Sequence, residues 1–196
     1  VLPEKIQKIK DSFIDKETVF NFLEQREGLL DGVVISGGEP TVMPDLVEFM
    51  GEIRKRFDYQ IKLDSNGNKP DVLREVVDKG LVDYMAMDIK TDLKHYESLV
   101  GGRANPDKLR ESVEFLKEGR VEYEFRSTII KGVHARQNFE AMADLMKGAE
   151  VLYLQRYNPG HTLDPDFASF SAFSKDEMAN IAGIFEGCVK RVEIRG

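Results

Sequence analysis

Residues 33–41 read VVISGGEPT: an apolar run, two glycines, a carboxylate and a proline. The chain leaves a strand through a small, sharp turn and sets a lone acid, Glu39, in it. Polar groups close four further apolar runs. They are Asp64-Ser65-Asn66-Gly67, then Asp88-Ile89-Lys90, then Arg126-Ser127-Thr128, then Gln155-Arg156-Tyr157-Asn158. The mixture of charges is informative. Carboxylates at Glu39, Asp64 and Asp88 suit an ammonium group or ribose hydroxyls, whereas Lys90 and Arg126 suit a carboxylate. A ligand with an amino-acid end would use both sets, at roughly 1.5–3 kcal/mol for each charge-assisted bond.

Taken singly, each group has an ordinary structural explanation. Gly37-Gly38 make a tight turn, and Asp, Ser, Asn and Gly are what turns are made of. Asp88 and Lys90 share a strand face and can pair with each other. Arg126, with Glu122 and Glu124, alternates against Val121, Tyr123 and Phe125 as on an ordinary half-exposed strand. His95, His134 and His161 show no ligand spacing, and Cys188 follows a helix stop as a small buried hydrophobe would. Five successive runs ending in charged or amide groups are harder to explain that way; this is what a polar ligand site requires.

The elements that must position these groups are well marked. Leu46, Phe49, Met50, Ile53 and Phe57 follow the spacing of one buried helix face, with Pro44 near its start. Val72, Leu73 and Val76 follow Pro70 and stop at Gly80; Leu109, Val113 and Leu116 follow Asn105-Pro106 and stop at Gly119. Phe139, Met142, Ala143 and Met146 end at Gly148. Ser174 and Glu177 form a capping box ahead of Met178, Ile181, Ala182 and Phe185. An earlier helix is expected over 16–27, capped by Asp15. Strands are expected over 33–36, 60–64, 82–88, 121–130, 151–157 and 189–194. This alternation predicts βαβ units and a parallel sheet, in a partial barrel or a doubly wound form. In either, ligands bind at the carboxyl ends of the strands, where the polar groups lie.

The chain has 196 residues, 41% hydrophobic and 32% charged, with a net charge of -7. Nucleic acid is an unfavoured partner for an acidic chain without basic clusters, and no run is long enough to span a membrane. One cysteine fits a reducing cytoplasm and excludes an internal disulfide. A single domain is expected over residues 1–196.

"GGEP" after a strand resembles the glycine-rich motif of the radical S-adenosylmethionine superfamily. "KLDSNG" at 62–67, "GLVDYMAMDIK" at 80–90, "VEYEFRSTIIKG" at 121–132 and "YLQRYNPGHTLDP" at 153–165 resemble later strands of glycyl-radical-enzyme activases, above all those serving anaerobic ribonucleoside-triphosphate reductase. The resemblance implies a partial (β/α)6 barrel. It also implies that Ser36, Gly37, Gly38 and Glu39 hold the methionyl amine of S-adenosylmethionine. Asp64, Ser65, Asn66 and Asp88 would lie near the ligand, and Asp64, Ser65 and Asp88 near a bound monovalent cation. Lys90 and Arg126 would meet the ligand's carboxylate, and Tyr157 and Asn158 its ribose or adenine.

The family's Cys-x3-Cys-x2-Cys loop, which binds a [4Fe-4S] cluster, is missing from these residues. It belongs just upstream of "VLPEKI", so the expectation is a chain lacking the first strand and cluster loop, with no catalytic residue of its own and no activity as it stands. The implied partners are a glycyl-radical enzyme and an electron donor such as flavodoxin or ferredoxin. Three alternatives stay open: another radical enzyme, of the pyruvate formate-lyase activase or deazapurine synthase type; a cluster-less module that binds a nucleoside or docks without catalysis; and a phosphate-binding barrel enzyme.

Overall fold

The computed structural model describes residues 14–102, 104–159 and 165–196. The segment "VLPEKI", His161 and residues 160–164 of the last motif lie outside them.

Strands and helices alternate along the chain. Helix α1 (Lys16–Glu24) is capped by Asp15, whose carboxylate accepts from the Thr18 amide, and it ends three residues before the expected stop. There follow β1 (Gly32–Ile35), a 3-10 turn (Pro40–Val42), α2 (Leu46–Arg56), β2 (Gln60–Ser65), α3 (Pro70–Asp78) and β3 (Tyr84–Asp88). A short helix α4 (Tyr96–Val100) that local periodicity does not announce precedes α5 (Pro106–Lys117) and β4 (Glu122–Ile129). The chain continues through α6 (Arg136–Leu145), β5 (Val151–Arg156), a second 3-10 turn (Pro165–Ser169), α7 (Lys175–Phe185) and β6 (Arg191–Arg195). The Ser174–Glu177 capping box forms as the sequence requires.

All six strands are parallel and lie in sequence order, β1-β2-β3-β4-β5-β6. A doubly wound sheet needs a reversal of strand order, so the architecture is the partial barrel. Among the described residues β1 and β6 are not paired, and the barrel is open.

The two faces of the sheet differ. Ile61, Leu63, Met85, Met87, Phe125, Leu152 and Leu154 are nearly or fully buried against Leu73, Val76, Leu109 and Val113 of the helices. The alternate positions are Lys62 and Asp64, Tyr84 and Asp88, Glu124 and Arg126, with Tyr153 and Glu193 in register beside them. A parallel sheet covered on both faces reads as nearly continuous apolar runs. Here the inner face is polar from β2 to β6, as the lining of a site must be.

Gly67 closes the turn after β2 with φ +75°, and a Cβ there would overlap the Met87 side chain. Gly80 has a similar φ of +65° with open space around it. Gly80→Ala should therefore cost roughly 1–2 kcal/mol in urea unfolding, the left-handed backbone penalty. Gly67→Ala should cost about 1–3 kcal/mol more from crowding. Equal losses would show that Met87 yields freely and that the turn is not packed as described.

Candidate functional site

The exit of β1 is built for backbone exposure. Gly37 sits at φ +146°, and a Cβ at Gly37 or Gly38 would meet nothing within 4 Å. The peptide groups there are open to an approaching molecule. Glu39 caps the 3-10 turn that follows. Its Oε1 accepts from the Thr41 amide (3.2 Å), the Thr41 hydroxyl and the Ser65 hydroxyl (3.0 Å), and its Oε2 accepts from the Asn66 amide (2.7 Å). Glu39 thus braces the exit of β1 against the exit of β2 while adding its charge to the rim.

The turn after β2 is locked in its own right. The Ser65 hydroxyl accepts from the Gly67 amide (3.0 Å), Asn66 Oδ1 accepts from the Asn68 amide (2.9 Å), and the Ser112 hydroxyl donates to the Gly67 carbonyl (2.6 Å). Asp64 points inward. Its Oδ2 accepts from the Ser36 hydroxyl (3.1 Å) and from Arg126 Nη1 (3.2 Å). Its Oδ1 is buried without a hydrogen-bond partner.

Arg126 of β4 reaches across two strands. Nε donates to Asp88 Oδ1 at 2.9 Å and Nη1 to Asp64 Oδ2, with the side chain 17% exposed. Burial works against its charge, but Asp88 and Asp64 outweigh burial and hold the guanidinium above its ordinary pKa. Lys90 Nζ lies 3.7 Å from Asp88 Oδ2, so these two do pair, loosely, while the Lys90 ammonium stays half exposed.

The backbone of Lys90 is fixed from two sides. Its amide donates to the Tyr96 hydroxyl (3.2 Å), which itself donates to the Asp88 carbonyl (3.3 Å). Burial pushes the Tyr96 phenol up to about 12, so it stays protonated and able to donate. The Lys90 carbonyl accepts from His134 Nε2 (2.9 Å), and His134 Nδ1 accepts from the Ile130 amide (3.0 Å). The second bond assigns the tautomer: the proton is on Nε2. His134 therefore ties the ends of β3 and β4 together.

Ser36, Gly37, Gly38, Glu39, Asp64, Ser65, Asn66, Asp88, Lys90 and Arg126, ten of the twelve sequence-derived site residues, line one cavity of about 110 Å³, with Pro40 beside them. That volume holds a few waters or one compact polar group. Asp88, Lys90 and Arg126 also open onto an adjoining recess walled by Leu99, Val100, Ile130 and Phe167, so the polar pocket continues into an apolar one. Tyr157 and Asn158 lie elsewhere, in a recess with Arg156 and Ala172; the Tyr157 hydroxyl donates to the Phe167 carbonyl at 2.8 Å.

Sequence reasoning passed over Lys62, Tyr84, Glu124 and Arg195 as functional groups. Glu124 is buried; Lys62 Nζ (3.1 Å), the Tyr84 hydroxyl (3.0 Å) and Arg195 Nη2 (3.6 Å) converge on it from three strands. Burial raises the Tyr84 pKa, with the Glu124 charge adding to it, so Tyr84 also stays protonated. The signal for this cluster was the period of two that places these residues on the Asp64–Arg126 face.

Among the described residues no group of three or more His, Cys, Asp or Glu side chains could hold a metal, and no helix is long and apolar enough to cross a membrane.

An open parallel barrel with a polar, mixed-charge pocket at its carboxyl-end rim places the domain among the partial α/β barrels. The chain belongs to the radical SAM superfamily, whose family profile matches residues 4–147. A Methanocaldococcus jannaschii protein assigned as a glycyl-radical enzyme activating enzyme is 27% identical over 183 residues, 91% of this chain and 75% of that protein. A domain of pyruvate-formate lyase-activating enzyme from Bacteroides vulgatus superposes with a TM-score of 0.67 at 17% identity, over 84% of this chain and 99% of that one. Streptococcus suis SuiB bound to S-adenosylmethionine gives 0.60 at 11% identity, over 84% of this chain and 39% of that one. The structural likenesses show the fold.

Burial of His134 lowers its pKa from the ordinary imidazole value. The folded protein then binds fewer protons than the unfolded chain between the two pKa values, so stability rises with pH there. Stability should be complete above about pH 7.5 and decline as the pH falls through the ordinary imidazole range near 6.5. His134→Gln should flatten that part of the profile, read by thermal melting at several pH values. An unchanged slope would remove His134 as its source.

Proposed function

We propose that this chain binds the amino-acid end of S-adenosylmethionine on the rim and serves as the scaffold of an activase that installs a glycyl radical on anaerobic ribonucleoside-triphosphate reductase. One observation carries the binding reading: Asp64 Oδ1 is buried without a hydrogen bond, its nearest cation being Lys62 Nζ at 4.0 Å, in the cavity that Gly37 and Gly38 also line. An ammonium group or a monovalent cation bridging Asp64, Ser65 and Asp88 would satisfy it. Membership of the superfamily and the Methanocaldococcus jannaschii relative support the activase class.

Each residue has a role that follows from its placement. The Gly37-Gly38 peptides offer hydrogen bonds to the ligand's amino group, and Glu39 holds that turn in shape. Lys90 is the cation free to meet a carboxylate, because its tie to Asp88 is long and its ammonium half exposed. Arg126, engaged by two carboxylates, orients Asp64 and Asp88 instead. Leu99, Val100, Ile130 and Phe167 would keep water from the ligand's less polar part. Bound S-adenosylmethionine supplies a sulfonium whose one-electron reduction yields the radical chemistry of the superfamily.

A cluster held by three thiolates does not fit the residues of this chain, whose one cysteine, Cys188, packs against the hydrophobic core after α7. Electrons would come from flavodoxin or ferredoxin.

Two measurements test this reading. In calorimetric titration with S-adenosylmethionine, Lys90→Ala should weaken binding roughly tenfold, the size of one charge-assisted bond, with little change in melting temperature. Equal affinities would remove Lys90 from the site. Joined to a Cys-x3-Cys-x2-Cys segment at its N-terminus and loaded with iron and sulfide, the chain should produce a glycyl-radical resonance on the reductase under reducing conditions. The chain by itself should give none. A radical on pyruvate formate-lyase instead would reassign the partner.

A further inference from the structure

Lys62 of β2 stands between two carboxylates below the rim. Its Nζ is 3.1 Å from Glu124 Oε1 and 4.0 Å from Asp64 Oδ1. Glu124 is held in place at its other oxygen by the Tyr84 hydroxyl and Arg195. Its side chain is 4% exposed, against 17% for Asp64. Asp64 Oδ2 is already occupied by Ser36 and Arg126. The lysine therefore hydrogen-bonds the deeper acid and stops short of the shallower one. Its flexible four-carbon stem could close that remaining distance with a small torsional change. The missing hydrogen bond on Asp64 Oδ1 is a consequence of where Lys62 is held, at the far limit of an ion pair.

We propose that Glu124 is a positioning residue that acts through Lys62. It draws the ammonium away from Asp64 and so reserves Oδ1 for the cationic group of an incoming ligand. The inference rests on the reading of the rim as the binding site for the amino-acid end of S-adenosylmethionine. Without the Glu124 charge, Lys62 loses its better partner and moves onto Asp64, and the ligand's ammonium must then displace a built-in one. Two cations competing for a single acceptor in a poorly solvated site repel strongly.

The test is a set of variants of the full chain titrated with S-adenosylmethionine and with 5′-methylthioadenosine, which lacks the amino-acid end. Glu124→Gln keeps the size of the side chain and an acceptor for Tyr84. It should lower S-adenosylmethionine affinity roughly tenfold, the worth of one charge-assisted bond, and leave 5′-methylthioadenosine unaffected. Adding Lys62→Met to Glu124→Gln should restore the affinity, because the competing ammonium is gone. A packing defect would weaken both ligands and would not be rescued, and that result overturns the proposal. If Glu124→Gln fails to fold, Lys62→Met alone decides: affinity at or above the parent's supports the proposal, and a tenfold loss overturns it by making Lys62 a ligand contact. A crystal structure of Glu124→Gln reads the position without any ligand. Lys62 Nζ should lie about 3 Å from Asp64; a lysine that stays in place overturns the proposal even if S-adenosylmethionine binds. Should the parent chain bind no S-adenosylmethionine, the rim reading fails, and the lysine's position in that crystal still decides whether Glu124 restrains it.

Discussion

A guanidinium gripped by two carboxylates sets the arrangement of the rim. Arg126 rises from β4, takes Asp88 of the neighbouring strand with one nitrogen and Asp64 of the next strand with another. Three strand ends are thereby tied at one point. Desolvation offsets much of the attraction in such a cluster, so its effect lies more in arrangement than in net stability. Removing one acid would leave a mostly buried cation short of a partner, which is costly. The orientation of Asp64, the opening beside it and the loose pairing of Lys90 with Asp88 all follow from where this one side chain reaches.

The same logic runs deeper in the open barrel. Glu124 lies two residues below Arg126 on the same strand face and gathers donors from β2, β3 and β6. An acid and a base stacked on β4 thus collect donors and acceptors of complementary character from other strands of the sheet. The inner wall therefore carries both signs of charge, balanced against each other. The helices bear the hydrophobic work on the outer face and leave the inner face free to be polar.

Much of the fold, and the gathering of polar groups at the ends of β1 to β4, was legible along the chain, and what was not has physical causes. Helix faces and their glycine stops are local properties, so α2, α3, α5, α6 and α7 could be read from spacing alone. Strand order is not local, and alternation alone left a partial barrel and a doubly wound sheet equally open. The residues of β1 to β4 that line one cavity could be grouped from the sequence because each follows an apolar run directly. Tyr157 and Asn158 follow β5 in the same way, yet the strand ends at Arg156; beyond it the period of two no longer tells which face a side chain takes, and Tyr157 turns to the Phe167 carbonyl. Glu124 looked like an ordinary half-exposed strand residue because its partners lie on three other strands.

Glu39 also carries a lesson about time. The glycine turn at the end of β1 is contiguous in sequence, yet beyond the local bonds from Thr41 its brace comes from Ser65 and Asn66, more than twenty residues later and across a strand pairing. Half of the bonds that fix Glu39 cannot form while the first strand stands alone. They must wait for the crossover through α2 and the docking of β2, a loop closure whose entropy has to be met first. During synthesis and refolding this glycine turn is therefore among the later parts of its region to settle, although its residues precede those of β2.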